Sequence, residues 1–161
     1  MKNIYLTTTL LTASFLSGPA TAYGLLQHPS DNGCLSVENN KVVLAVGDFC
    51  PSDPSAHSDA SIYWKLEKLE GGVFLILHHA PEKGQIKKCL TIAAGKVILL
   101  ACNKTNVRQQ WKLSDNGRKT TIINKDKCLS AFTHAKGATV ETQKCEKDLE
   151  EETTWLWKIS Q

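Results

Sequence analysis

The chain has 161 residues, which is enough for one domain with a substantial hydrophobic core. Its 19 basic and 16 acidic residues give a net charge of +3. So small a bias argues against electrostatic binding to nucleic acid or to a membrane surface, and an ordinary solvated surface explains it.

The first 22 residues have the pattern of a secretory signal peptide. Lys2 is their only charge, Leu10–Leu16 is mostly apolar, and Ala20–Ala22 is a small-x-small cleavage site. The apolar stretch is shorter than the roughly 20 residues that a spanning helix needs, and no later segment comes closer. We therefore expect cleavage before Tyr23 and a soluble, secreted, extracellular product with one domain over residues 23–161.

Short strands separated by polar turns are predicted along the rest of the chain. The apolar segment Tyr23–Gln27 opens it, and Pro51–Ala60 is loop by composition. Two β-branched or aromatic runs at corresponding places, Val73–Leu77 and Thr121–Ile123, predict buried strands. No helical period is present, and the acidic Glu146–Glu152 fits one helical turn or a solvated loop equally well. The sequence thus predicts an all-β protein.

One unit of sequence recurs three times. Each copy reads Cys-Leu, a short strand, a second Cys, a polar loop and then Trp-Lys-Leu or Trp-Lys-Ile. A period of tens of residues determines the architecture before any other feature is considered. With about four strands per copy, the repeat predicts three four-strand units that close into a barrel capped by hairpins, since closure removes edge strands. The copies begin at Cys34, Cys89 and Cys128.

One tryptophan of each copy occupies the same place in the repeat. Trp64, Trp111 and Trp157 recur at spacings of 47 and 46 residues. Large aromatic side chains at such recurring positions belong to the core more often than to a ligand site. We therefore expect these indoles to meet in one core layer.

The six cysteines all follow the predicted leader, and an even count in an oxidising compartment predicts disulfides. Each copy contains two cysteines, so the repeat predicts one disulfide per unit, each stabilising by about 2–4 kcal/mol. A zinc site is the alternative, but no Cys-x-x-Cys occurs and the histidines do not cluster with the cysteines, so we expect no metal and no cofactor. The predicted pairs are Cys34–Cys50, Cys89–Cys102 and Cys128–Cys145.

The pattern Cys-Leu…Cys…Gln-x-Trp resembles the ricin B-type lectin domain, which is a β-trefoil. The full Gln-x-Trp motif occurs once, at Gln109–Trp111, and Ile62 and Trp155 replace its Gln in the other copies. The ending Thr154–Ile159 is similar to the cysteine-rich domain of the mannose receptor family, which binds sulfated sugars through a Trp just ahead of the core Trp. The resemblance implies a carbohydrate-binding module whose partners are glycans or glycoproteins, with a stacking role for Trp155.

A galactose pocket of the ricin type requires a carboxylate, a stacking aromatic ring and amides that complete the hydrogen bonding. The resemblance assigns the carboxylate to the position two residues after the first Cys and the aromatic ring to the position two before the second. No copy has a carboxylate at the first position or an aromatic residue at the second, so we do not expect galactose binding of the ricin type. The residues found are Ser36, Thr91 and Ser130 at the first position, and Asp48, Leu100 and Gln143 at the second.

Two groups of residues remain candidates for binding glycans, acidic or sulfated ones in particular. In the second copy Arg108 is suited to a sulfate or carboxylate, and Gln109 either contacts ligand or holds the turn. In the third copy the candidates combine hydrogen bonding with stacking, although Glu141 and Gln143 also fit the solvent side of an alternating strand. This third-copy group is Ser130, His134, Glu141, Gln143 and Trp155.

Asn103-Lys104-Thr105 is an N-glycosylation sequon in a predicted loop. The sequence contains no nucleophile–base–orienter set, Gly-rich phosphate loop or paired-carboxylate arrangement, so we expect no enzyme. The alternative to a lectin is a protein-interaction trefoil that has lost sugar binding, such as an inhibitor, a cytokine-like protein or the cell-binding subunit of a toxin, because the fold alone does not decide function.

Overall fold

A computed structural model describes residues 24–28, 33–46, 50, 60–79, 86–115, 120–131, 135–145 and 156–160. The predicted leader, most of the 51–60 loop and the acidic segment Glu146–Glu152 lie outside these residues. Helical structure in the described ranges consists of 3-10 turns at Ala60–Ile62, Glu70–Gly72 and Val107–Gln109. None of these is long and apolar enough to cross a membrane.

The described part of the chain is all-β, as predicted, and contains a twelve-stranded sheet. The predicted strands Val73–Leu77 and Thr121–Ile123 are confirmed; the first is one residue longer at its carboxyl end and the second is one residue longer at each end. The strands are β1 (Gly24–His28), β2 (Gly33–Glu38), β3 (Lys41–Ala45), β4 (Tyr63–Lys68), β5 (Val73–His78), β6 (Lys88–Ala93), β7 (Lys96–Ala101), β8 (Trp111–Asp115), β9 (Thr120–Asn124), β10 (Lys127–Ala131), β11 (Ala138–Lys144) and β12 (Leu156–Ser160).

Six strands pair antiparallel in a closed ring. β1 pairs with β12 and with β4, β12 with β9, β9 with β8, β8 with β5, and β5 with β4. Because the ring returns to its first strand, these strands leave no free edge for another chain to pair with. The predicted closure of the barrel is therefore present, and it depends on pairing between the first and the last strand described.

The other six strands form three hairpins, β2–β3, β6–β7 and β10–β11, that converge on one another. β3 pairs with β7, β7 with β11, and β11 with β3. Two of the connections are two-residue turns with both φ values positive, at Asn39-Asn40 and Ala94-Gly95. This type I′ geometry matches the twist of the flanking strands. We refer to the three convergent hairpins as the cap.

The three recurring tryptophans share one core, as predicted. Trp64, Trp111 and Trp157 are at most 2% exposed and belong to the same buried cluster. Each indole nitrogen donates to the carbonyl of the leucine that follows the first cysteine of its own copy, at 2.8, 3.0 and 3.1 Å. These bonds satisfy the one polar atom of each indole, so burial of the ring is not penalised. The accepting carbonyls belong to Leu35, Leu90 and Leu129.

The disulfide pairing predicted from the repeat is confirmed. The bonds join residues whose Cα atoms lie 5.3, 4.9 and 5.2 Å apart, within the usual range for a disulfide. No free cysteine is present among the described residues. The cysteines are therefore not metal ligands, which removes the zinc alternative in its cysteine-based form. The bonded pairs are Cys34–Cys50, Cys89–Cys102 and Cys128–Cys145.

Candidate functional site

The residue two positions after the first cysteine of each copy lies at the same place in its hairpin. Ser36, Thr91 and Ser130 face Val43, Ile98 and Glu141 of the partner strand. All three are buried, with exposures of 2%, 1% and 0%. A short hydroxyl side chain therefore fills the place where the family resemblance puts a carboxylate, and little of it reaches solvent.

In the second copy this hydroxyl is bound by the glutamine of the Gln-x-Trp motif. Gln109 is 1% exposed. Its Nε2 donates to Thr91 Oγ1 and to the Ala101 carbonyl, both at 3.0 Å, and its Oε1 accepts from the Asn103 backbone N–H at 2.7 Å. Both amide protons are thus used within the protein. The structure places Gln109 as the residue that anchors the loop following Cys102.

Three asparagines stiffen the same loop. Asn103 Oδ1 accepts from the Thr105 N–H and hydroxyl, and Asn106 Oδ1 accepts from the Arg108 N–H. Asn124 Nδ2 donates to the carbonyls of Val107 and Gln110, each at 2.8 Å. Such side chain–backbone bonds hold a loop in a single conformation without regular structure. Whatever this loop presents to solvent is therefore held in place before a ligand arrives.

The loop carries two exposed cations, Lys104, which is paired with Glu67, and Arg108. Arg108 is exposed, and within the described part of the chain its guanidinium makes no hydrogen bond or ion pair. Val107, next to it, is 51% exposed, and Leu100, at the position of the family's stacking aromatic, is 46% exposed. A planar guanidinium free of internal partners is suited to bidentate pairing with a sulfate or carboxylate.

The first copy lacks the glutamine and compensates in a different way. Ile62 stands in its place, 1% exposed, and packs in a small cluster around the Cys34–Cys50 disulfide. The hydroxyl of Ser36 instead pairs with the hydroxyl of Ser61 at 3.2 Å. Asp48 lies outside the described residues. In the first copy, a buried isoleucine and a pair of serine hydroxyls therefore stand where the second copy has its Gln–Thr hydrogen bond.

The third copy leaves its equivalent hydroxyl unpaired. Ser130 Oγ is buried and has no hydrogen-bond partner among the described residues. Glu141, opposite Ser130, and Gln143 are half-buried, whereas His134 and Trp155 lie outside the residues that the structure describes. The candidates therefore fall on two elements: Arg108 and Gln109 on the loop after β7, and the described third-copy residues on the β10–β11 hairpin.

Sequence patterns did not reveal two further features. Lys104 Nζ lies 2.6 Å from Glu67 Oε1, linking the sequon loop to β4, and this hydrogen bond lowers the pKa of Glu67. The second feature is a pocket of about 360 Å³ where the cap hairpins meet, and Glu141 is the one predicted site residue that lines it. No group of three or more His, Cys, Asp or Glu side chains among the described residues is arranged to hold a metal ion.

A family model described as the ricin-type beta-trefoil lectin domain matches residues 80–161, half of the chain. No curated protein matches significantly by sequence. Solved structures match over most of the chain at 13–17% identity, a level that shows a shared β-trefoil fold and nothing further.

Three of these structures illustrate the range. The designed threefold symmetric protein ThreeFoil is 17% identical with a TM-score of 0.68, covering 86% of this chain and 98% of its own. SeviL, solved bound to an asialo-GM1 saccharide, is 13% identical with a TM-score of 0.61, covering 88% and 98%. A chain of the Haemophilus ducreyi cytolethal distending toxin is 15% identical with a TM-score of 0.66, covering 96% and 89%.

Proposed function

The chain belongs to the ricin-type β-trefoil lectin family, and we propose from this membership that it is a carbohydrate-binding module without catalytic activity of its own. The observation that carries the proposal is the family match over residues 80–161, which contains the one complete Gln-x-Trp motif. SeviL, a structure with the same fold, is described as bound to a saccharide.

The proposed organisation is three four-strand units with one disulfide each, within a single domain over residues 23–161. The equivalent hairpin registers and the equivalent Trp-to-Leu hydrogen bonds support this division. Residues 1–22 are proposed to be a signal peptide, which makes the module secreted and extracellular. Secretion is also what makes disulfides stable, and the confirmed pairing is consistent with it.

The proposed ligands are acidic or sulfated glycans rather than galactose bound in the ricin manner. A galactose pocket needs an accessible ionised acceptor, whereas here the position holds buried Ser or Thr hydroxyls in all three copies. In the second copy the amide protons of Gln109 are already used. Arg108 is an exposed cation outside the ion pair of the preorganised loop, and a guanidinium selects anions over neutral hydroxyls.

A second contact is proposed in the third copy. Trp155 would stack on a sugar ring, with His134, Glu141 and Gln143 supplying hydrogen bonds. Ser130, which is 0% exposed and lies opposite Glu141, would support these side chains and not contact the sugar itself. The unpaired, buried Ser130 hydroxyl supports a polar function here, because a buried hydroxyl without a partner is otherwise unfavourable.

A glycan array with the purified, disulfide-bonded protein tests the proposal. We expect signals on sulfated or sialylated glycans that are lost in Arg108→Gln or Trp155→Ala and retained in Glu38→Ala, a surface substitution on the tip of another hairpin. Loss of one charge-assisted hydrogen bond should weaken the affinity about tenfold. Equal binding by all variants, or binding of neutral galactosides alone, would contradict the assignment.

A toxin cell-binding subunit is the second candidate, and the cytolethal distending toxin chain favours it. That chain and this one match over nearly their whole lengths, 89% and 96%. A protein-interaction trefoil of this kind would not need functional sugar pockets. A blank array from folded protein at millimolar sugar would favour this candidate over the lectin.

Asn103 is proposed as a glycosylation site when the protein is made in a host that modifies sequons. Asn103 is exposed, as are Lys104 and Thr105, and the sequon lies on the same loop as Arg108. A glycan there would crowd the second copy's binding surface. A mobility shift removed by a peptide-N-glycosidase and absent from Asn103→Gln would establish it.

A further inference from the structure

A pocket of about 360 Å³ lies in the cap, where strands from all three copies meet. Lys41 of β3 pairs with Ile98 of β7, and Glu141 of β11 pairs with Lys96 of β7. Each copy therefore contributes to the walls. Neither Thr91 nor Gln109, the hydrogen-bonded pair of the second copy, lines this pocket, so it is separate from the second-copy surface proposed above for sugars, although it shares Glu141 with the third-copy group.

The apolar lining of the pocket is made by one valine from each copy together with Ile98. Val42, Val97 and Val140 occupy equivalent positions in the three hairpins and are 2%, 4% and 2% exposed. All three belong to the main hydrophobic core, so the rest of the protein holds them in place. An apolar surface backed by a packed core does not collapse when a ligand leaves, and it favours an apolar ligand group.

Apart from the three valines and Ile98, the lining of the pocket is polar and carries a positive balance. Lys41 and Lys96 are exposed, and the ion pair recorded among the described residues involves neither of them. Lys88 adds a third ammonium beside the pocket, since its Nζ donates to Oδ1 of the lining residue Asn40 at 3.2 Å. Glu141 is the single acidic residue of the lining.

We propose that this pocket binds a small carboxylate with a compact apolar body, such as an arylalkanoate. The apolar body would lie on half-buried Ile98 and on the floor that the three valines form, and the carboxylate would pair with Lys41 and Lys96. An engineered apolar cavity of about 150 Å³ holds one benzene ring, so a pocket of about twice that volume accommodates a ring and its carboxylate arm. A sugar fits poorly, because hydroxyls over the valines would lose their hydrogen bonds to water.

Charge and apolar surface make separable contributions to binding. Each ammonium about 4 Å from the carboxylate contributes about fivefold in affinity at solvent-exposed dielectric. The Glu141 carboxylate repels the ligand's carboxylate, so neutralising Glu141 should increase the affinity for the ligand. A generic anion such as sulfate or acetate gains the charge interaction but not the valine contacts, and a neutral analogue gains only the latter.

The test is a titration of the isotope-labelled, disulfide-bonded protein with phenylacetate, followed by methyl and amide NMR. We expect saturable shifts at Val42, Val97 and Val140 with a dissociation constant of about 1 mM. Phenylacetamide and acetate should each bind at least about fivefold more weakly. Absence of shifts at these valines at about 20 mM ligand, or equal binding of phenylacetamide, acetate or sulfate, would overturn the proposal.

Single substitutions that change the charge provide the second arm. Lys41→Gln and Lys96→Gln should each weaken phenylacetate binding about fivefold, while Glu141→Gln should strengthen it by a similar factor. Lys112→Gln removes the same charge from an exposed position on β8, outside the pocket, and should leave the affinity unchanged. If Lys112→Gln weakened phenylacetate binding equally, net charge alone would explain the loss of affinity, and the proposed site would be overturned.

These lysines are exposed, so their substitution does not threaten the fold, and unchanged indole N–H resonances of Trp64, Trp111 and Trp157 would verify this. The site also does not depend on the lectin proposal. Phenylacetate binding should persist in Arg108→Gln, whose substituted side chain lies outside the pocket lining, so failure of the array leaves this test informative.

Discussion

The side-chain amide of Gln109 is fully engaged inside the protein, since its nitrogen donates twice and its oxygen accepts from Asn103. Gln109→Ala would leave the buried Thr91 hydroxyl and the partly buried Asn103 N–H without these partners. We expect a loss of about 2 kcal/mol in the free energy of unfolding, measured by denaturant titration. The neighbouring Gln110→Ala is the matched control, because its Nε2 makes one exposed bond to the Lys104 carbonyl and its loss should cost little. Equal losses in the two variants would contradict an anchoring role.

The ion pair between Glu67 and Lys104 predicts a pH dependence. The hydrogen bond from Lys104 lowers the pKa of Glu67 in the folded state, opposed by partial burial and assisted by the charges of Lys104, Lys87 and Lys65. A carboxyl with a depressed folded pKa contributes stability above its unfolded pKa, and that contribution is lost as pH falls through the folded pKa. The stabilisation is therefore present at neutral pH and disappears in the acidic range below the ordinary glutamate value of 4.5.

Because Lys104 is 69% exposed and Glu67 28%, solvent screening limits the pair to about 0.5–1 kcal/mol. Lys104→Gln should lower stability by that amount at pH 7 and by nothing measurable well below the folded pKa. Lys127→Gln, at an exposed position on β10, is the charge-matched control. Thermal unfolding across pH at low salt measures the difference, and an unchanged gap between the variants at acidic pH would refute the assignment.

The two-residue turns of the cap show how a hairpin tolerates an unfavourable residue. Both central positions of a type I′ turn require positive φ, which Asn and Gly adopt readily and Ala does not. The β2–β3 turn uses Asn39 and Asn40, whereas the β6–β7 turn places Ala94 at φ 49°. Ala94→Asn should therefore stabilise the protein by about 1 kcal/mol, and Asn39→Ala should destabilise it by about as much. Opposite signs in chemical denaturation are the expected result, and matching signs would contradict it.

Strands, hairpins and disulfides could be predicted from the sequence because each is encoded within one copy of the repeat. The pairing of Cys89 with Cys102, for instance, needs only the repeat and a short loop. Other features depend on where different copies meet, which no local pattern encodes. Lys41 and Lys96 share a pocket, and Glu67 reaches Lys104, only because strands distant in sequence come together. For the same reason the sequence did not predict that the Ser36–Ser61 pair replaces, in the first copy, the Gln–Thr hydrogen bond of the second.

The closed ring makes the molecule one cooperative body. The first described strand pairs with the last, and the three indoles share one main core cluster to which all three copies contribute. Trp64→Phe, Trp111→Phe and Trp157→Phe each remove an indole hydrogen bond and leave a leucine carbonyl buried without its donor. We expect each to cost about 2–3 kcal/mol.

The shape of the unfolding transition tests this cooperativity more directly than the energies do. If the ring unfolds as a unit, removing the indole hydrogen bond of any copy should lower the midpoint of the single unfolding transition. Near-UV and far-UV circular dichroism should then report one coincident midpoint in each of the three variants. Leu113→Ala serves as a control on β8, since it truncates a half-buried side chain that packs against the core from outside and breaks no indole bond. Two separate transitions in Trp64→Phe, with the part of the chain that contains Trp111 and Trp157 melting later, would show that the copies unfold independently. A cooperative result would mean that a ligand bound in the cap, which all three hairpins build, stabilises the entire chain through the same single transition.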